Sequence, residues 1–209
     1  MSLTLELGKR GRFAKVSNCS CKGMGLRIIS GQLKGKKLYS VRGSTTRPTA
    51  DQLRESIFNI LSFLVIETVV LDLFAGTGAL GIEALSRGAE SAVFVDNNPG
   101  ALSVIKRNIK SCAFDKKANI IKWDIKKNLN CLTSIRRAFN LVFLDPPYNQ
   151  NMVKSALFNL EHTRSLEKGA CIVVEHSPLE SIPNDLLMFK ITDQRKYGKT
   201  LVSFLNYVV

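Results

Sequence analysis

"VVLDLFAGTGALGIEAL" runs from Val69 to Leu85. Its first six residues are apolar apart from Asp72, the pattern of a parallel strand buried on both faces. A glycine-rich turn follows directly, and "ALGIEALSRG" (79–88) then reads as a helix. Downstream the same alternation repeats. "SAVFVD" (91–96), "ANIIKWD" (118–124), "FNLVFLD" (139–145) and "GACIVVEH" (169–176) read as strands. "PGALSVIKRNIKSC" (99–112), "IKKNLNCLTSIRR" (125–137) and "NMVKSALFNLEH" (151–162) read as the helices between them. Strand–helix alternation means right-handed crossovers and a doubly wound α/β fold with a mostly parallel sheet of seven strands. The last two strands, "LLMFKITDQRKYG" (186–198) and "TLVSFLNYVV" (200–209), have only a glycine-containing turn between them. They predict a C-terminal antiparallel hairpin that closes one edge.

Upstream, "RPTADQLRESIFNILSFL" (47–64) predicts a helix capped by Thr49, with Leu53, Ile57, Ile60, Leu61 and Leu64 on one stripe. "LRIISGQLKGKKLYSV" (26–41) predicts two short strands around a Gln-Leu-Lys-Gly turn, a basic β-hairpin. Residues 1–24 lack periodicity and are expected to be a flexible basic extension. The chain thus divides into 1–24, a hairpin at 25–47 and a main domain at 48–209.

Charge separates these parts. The chain of 209 residues carries +13, and residues 1–47 hold eleven Lys/Arg against the single acid Glu6. Such a segment suits a polyanion, and nucleic acid is the natural partner. Arg27, Lys34, Lys36, Lys37, Arg42 and Arg47 are the candidate contacts. Five scattered cysteines argue for reduced thiols and a cytoplasmic location. Cys19-x-Cys21 lacks a second pair at matching spacing, so no metal site is expected. No apolar run has the length of a membrane span. A monomer is expected.

The turn pattern Gly76-x-Gly78-x-x-Gly81 lets backbone approach a ligand at a helix N-terminus. The acids around it specify which ligand. Asp72, four residues before the first glycine, repels a pyrophosphate and attracts an ammonium group. Asp96 ends the next strand, where a carboxylate accepts from ribose hydroxyls. Asp124 ends the third beside Trp123, a partner for an adenine amine. With Phe74 and Asn97 beside them, these residues describe a ligand with an ammonium, a ribose and an adenine but little phosphate. S-adenosyl-L-methionine fits.

The fourth strand ends in Asp145-Pro146-Pro147-Tyr148. An exocyclic base amine is a poor nucleophile, because its lone pair is delocalised. It needs acceptors for its two N–H groups. Asp145 offers one and the Pro146 carbonyl another; Pro147 helps stiffen the corner, and Tyr148 offers a face for stacking. The two histidines, His162 and His176, have no partner that suggests a base; they read as a surface and a strand-end residue. Arg54 either contacts phosphate or braces the rim.

This tetrapeptide resembles the (Asp/Asn/Ser)-Pro-Pro-(Tyr/Phe/Trp) signature of class I methyltransferases that modify exocyclic amines. "RIISGQLKGKKL", "RPTADQLRESIFNIL", "LDLFAGTGALGIEALSRGA" and "FLDPPY" together resemble the bacterial 16S ribosomal RNA guanine-N2 methyltransferases over about residues 25–207. The resemblance implies a Rossmann-like methyltransferase fold. It also implies methylation of a guanine amine in 16S ribosomal RNA or a small-subunit assembly particle, with the basic hairpin and the "RPT" segment holding RNA. A DNA adenine-N6 methyltransferase and a non-catalytic ribosome-assembly factor are the alternatives.

Overall fold

Seven strands form the frame: β1 (Val69–Leu73), β2 (Ser91–Asp96), β3 (Ala118–Lys122), β4 (Phe139–Leu144), β5 (Leu166–His176), β6 (Phe189–Tyr197) and β7 (Thr200–Tyr207). They lie in one sheet in the order β3-β2-β1-β4-β5-β7-β6. β1 to β5 pair in parallel; β7 runs antiparallel to β5, and β6 antiparallel to β7 at the edge. The computed structural model describes residues 25–41, 48–183 and 185–209. The proposed extension at 1–24, with Cys19 and Cys21, lies outside the described residues, as do Arg42 and Arg47.

Alternate residues of each strand serve opposite layers. Val70, Phe94, Phe143, Val173 and Phe204 pack in one core with α1 (Pro48–Leu61), α2 (Ala79–Ser86) and α3 (Pro99–Ser111). Leu71, Val95, Val142, Val174 and Leu205 pack in the other core with α4 (Met152–Glu161). The chain winds outward from β1 through β2 to β3, then returns to place β4 on the other side of β1. The switch point therefore lies between β1 and β4, where open α/β sheets bind ligands at the carboxyl ends of their strands.

Four local expectations are corrected. The helix expected over 125–137 is a loop with one 3₁₀ turn, Asn130–Leu132. The Asp124 side chain accepts from Lys126 N–H and Asn128 from Asn130 N–H, so side chains compete with helical bonding there. α1 begins at Pro48, which puts Thr49 inside the first turn instead of at the cap. Proline suits that position because its missing N–H has no intrahelical partner. Leu53, Ile57 and Leu61 are buried, but Leu64 falls in a 3₁₀ turn beyond the helix and is exposed. The N-terminal hairpin has a tight turn and one isolated bridge, Arg27 to Lys37, in place of two strands.

That hairpin is fastened sideways. Its turn rests on the end of α2, whose buried Glu83 accepts from Ile29 and Ser30 N–H at 2.7 and 2.9 Å. The Ser86 carbonyl accepts from Gln32 N–H, and its hydroxyl accepts from Leu33 N–H while donating to Ser30 O. Gly31, at φ +81°, is required: a Cβ there would lie 2.0 Å from the Ser86 carbonyl oxygen. Arg54 is a brace. It is buried, donates to Arg27 O and Asp51, and lies 4.0 Å from Glu83.

Candidate active site

The glycine turn carries β1 into α2. Gly78 caps α2 in the left-handed region at φ 74°, which aims the first amides of the helix over the strand ends. Gly81 packs the helix close: a Cβ would lie 2.4 Å from the Phe94 ring. Phe74 has φ 58°, a strained setting for a bulky residue, and its ring packs on the α4 side of the sheet.

Asp72 is buried, and its carboxylate accepts from Gly81 N–H at 2.9 Å. Burial pushes its carboxyl up to about 8, with the Gly81 hydrogen bond opposing and the Asp96 charge adding. Asp96 uses both oxygens on backbone, accepting from Gly76 N–H at 2.9 Å and Asn98 N–H at 2.8 Å. It therefore braces the glycine turn, and each oxygen keeps a lone pair for a hydroxyl. Beyond it, Asn97, Trp123, Asp124 and Asn128 line a cleft of about 350 Å³. The Trp123 indole donates to Asn128 O at 3.0 Å, and Lys127 pairs with Asp124 at 3.8 Å.

β1 and β4 are neighbours in register, Leu73 beside Leu144. The Asp145 corner and the glycine turn consequently leave the sheet side by side, about 5 Å apart at the strand ends. Asp145 is half-buried, Pro146 buried, and Pro147 and Tyr148 exposed. Burial raises the Asp145 carboxyl well above the usual range, and the charges of Glu175 and Asp72 raise it further.

Glu175 has no counterpart among the residues expected from the sequence. It lies near the end of β5, and its carboxylate accepts from the Tyr148 hydroxyl at 2.6 Å. The Tyr148 oxygen also lies 2.9 Å from Thr200 Oγ1 on β7. Burial raises the Glu175 carboxyl, and the Tyr148 hydrogen bond opposes this. Phe94, Asp72, Phe143 and Val173 are lateral neighbours. Two residues further along their strands, Asp96, Asp145 and Glu175 fall on the same face. Four carboxylates thus line the ends of β2, β1, β4 and β5. Side-chain salt bridges to Lys or Arg reach none of the four among the described residues. Such a row calls for a cationic ligand.

Of the expected polyanion contacts, Arg27, Lys34 and Lys37 are exposed and Lys36 is half-buried, all on the hairpin. His176 is structural: its ring nitrogens meet Glu180 O at 2.6 Å and Ser203 Oγ at 2.8 Å. His162 is capped onto Phe158 O in α4.

The sequence model of the family described as Conserved hypothetical protein 95 matches residues 26–206. The chain belongs to this family. YlbH of Bacillus subtilis, provisionally named an rRNA methyltransferase, is 38% identical over 178 residues, covering 85% of this chain and 97% of that protein. Ribosomal RNA small subunit methyltransferase D of Escherichia coli is 32% identical, covering 76% and 78%. In fold, the chain is similar to an Escherichia coli protein, yhhF, provisionally named a methyltransferase. That match has a TM-score of 0.77 and 27% identity, over 88% of this chain and 98% of the other. The seven-stranded sheet with its antiparallel C-terminal strands is therefore the Rossmann-like methyltransferase fold of the family. No helix among the described residues is long and apolar enough to cross a membrane.

Proposed function

We propose that this chain is an S-adenosyl-L-methionine-dependent methyltransferase that modifies the exocyclic N2 amine of a guanine in 16S ribosomal RNA. The observation that carries the reading is the register of β1 and β4, which sets the glycine turn against the acid–proline corner. The names of the relatives support ribosomal RNA as substrate.

The residues present fit the cofactor. Asp72, held near 8 in an anionic surrounding, gains a counter-charge from the ammonium end. Asp96 takes the ribose hydroxyls on its remaining lone pairs. The cleft at Asn97, Trp123 and Asp124 takes the adenine. Gly76, Gly78 and the Phe74 backbone leave room between. When bound, the cofactor supplies an electrophilic methyl group on a sulfonium.

The base stacks on Tyr148. Asp145 accepts one N–H of the amine and the Pro146 carbonyl the other, so the nitrogen lone pair faces the methyl group; Pro147 keeps that carbonyl aimed. Held this way, the amine nitrogen would accept the methyl as its bond to sulfur breaks and a neutral thioether leaves, and Asp145 or water would take the proton that the amine sheds. Exposed Arg27, Lys34 and Lys37, with Lys36, hold RNA phosphates, and Arg42 and Arg47 extend the set. The unit at 25–47 is thus an RNA-contact module on a methyltransferase domain at 48–209. A ribosomal RNA substrate supports a cytoplasmic location, and we take the protein to act as a monomer.

Transfer of a labelled methyl group tests this. Label enters RNA or small-subunit particles and not duplex DNA. Asp145→Ala lowers transfer by about 10²-fold or more while RNA retention stays near the wild-type level. Label in DNA alone, or undiminished transfer by the variant, refutes the assignment.

A further inference from the structure

An acid–proline corner suits any exocyclic amine, adenine N6 as well as guanine N2. Something else must choose the base. The β4–β5 register, Leu144 beside Val174, carries forward by one residue to put Asp145 beside Glu175. Glu175 is half-buried, and its Oε1 accepts from the Tyr148 hydroxyl. Tyr148 is in turn tied to Thr200. The carboxylate is therefore fixed at the edge of the ring on which the base lies. Among the described residues its Oε2 has no hydrogen-bond donor, and it is not sealed from solvent.

We propose that Glu175 selects guanine, its free oxygen accepting the N1–H that adjoins the amine held by Asp145. This rests on the guanine-N2 reading and deepens it. The Watson–Crick edge of guanine presents N1–H and the N2 amine together, a run of donors. A carboxyl oxygen that carries no proton only accepts, so two such oxygens side by side complement that run. Adenine places the lone pair of N1 next to its amine, and so does 2-aminopurine. Either one turns that lone pair toward Glu175 and leaves the carboxylate unpaired.

2-Aminopurine is the sharper probe, because its amine occupies the same C2 position. The test uses synthetic RNA carrying guanine or 2-aminopurine at the nucleotide into which wild-type enzyme transfers label, with wild-type enzyme and Glu175→Gln. The glutamine keeps an oxygen for the Tyr148 hydroxyl and offers an N–H to the N1 lone pair. Wild-type kcat/KM is expected to favour guanine by at least about 10²-fold, since sites built around a substrate donor reject analogues that lack it. In Glu175→Gln, transfer to guanine falls at least about tenfold and the preference collapses or inverts. A merely structural role would lower both substrates together and leave the ratio intact. An unchanged ratio in the variant, or a wild-type enzyme that accepts both bases equally, overturns the assignment while the methyltransferase reading stands. A wild-type enzyme that leaves guanine unlabelled overturns both.

Discussion

Asp72→Asn should make the protein more stable and, in the same change, useless to its cofactor. The Asp72 carboxyl sits at about 8 in the fold against an ordinary 3.8. A raised carboxyl favours folding at low pH, where it is protonated in both states. That advantage drains away as pH rises through the window from about 4 to about 8, because the unfolded chain ionises first. Each pH unit in the window carries about 1.4 kcal/mol. At pH 7 the ceiling on the cost is therefore about 4 kcal/mol. Asparagine removes the charge and can still accept from Gly81 N–H. It also relieves Asp145 of one of its two nearby charges. Recovering half of the ceiling raises the melting midpoint by about 4–8 °C in a chain of this size. The assay is thermal melting from pH 4.5 to 8.5, with and without S-adenosylmethionine. The gain of the variant over wild type should be small at pH 4.5, grow through neutrality and level off above 8. Saturating cofactor at about 100 times its Kd should stabilise wild type by about 2.7 kcal/mol and the variant far less, its ammonium contact having lost the counter-charge. A variant that melts lower than wild type at pH 7.5, or a gain that is flat across the range, refutes the reasoning.

Two further substitutions test the supports of the site. Gly31→Ala pushes a Cβ to 2.0 Å from the Ser86 carbonyl and strains a φ of +81°, whereas Gly35→Ala, at φ +82°, meets open space. Gly31→Ala should cost about 2 kcal/mol or more beyond Gly35→Ala, read by chemical denaturation, and should weaken RNA retention by undocking the hairpin. Gly81→Ala drives a methyl group into the Phe94 ring and crowds Asp72. It should cost about 1–3 kcal/mol and lose cofactor binding, with Phe94→Leu added to it restoring part of the stability by opening the contact.

The βα alternation was legible because a strand buried on both faces has no polar face to disguise it. The failure at 125–137 has the same root. Ile125, Leu129 and Leu132 recur at helical spacing and all three are buried. Periodicity reports which residues are buried, and here a loop buries them while Asp124 and Asn128 satisfy its amides. Asp72, Asp96 and Asp145 stood out because each lies at or near the end of a strand with a glycine or proline signal close behind it. Glu175 is the penultimate residue of "GACIVVEH" and has no such signal beside it. Only the register of β5 on β4, and the Tyr148 hydroxyl 27 residues away in sequence, give it a role. Glu83 was hidden for a related reason: a glutamate on a helix reads as solvated until the hairpin amides that cover it are known.

One side chain joins the basic hairpin to the glycine turn. Asn108, buried in α3, accepts from Tyr39 N–H at 2.7 Å and donates to Tyr39 O at 3.0 Å. Its amide also donates to Thr77 O, inside the glycine turn, at 2.9 Å. The basic hairpin and the turn over the strand ends are thus held by a common amide, while Glu83 and Ser86 pin the hairpin to the helix that leaves that turn. The electrostatics of these two parts are opposite. Lys and Arg on the hairpin attract phosphates, and the carboxylate row repels them. Screening shortens the reach of each field to about 8 Å at physiological salt. Under the proposed reading a polyanion is drawn to the hairpin and turned away from the row, and what approaches Asp145 is a group without negative charge that has donors to offer. A base swung out of its stack meets that description, and a phosphate does not.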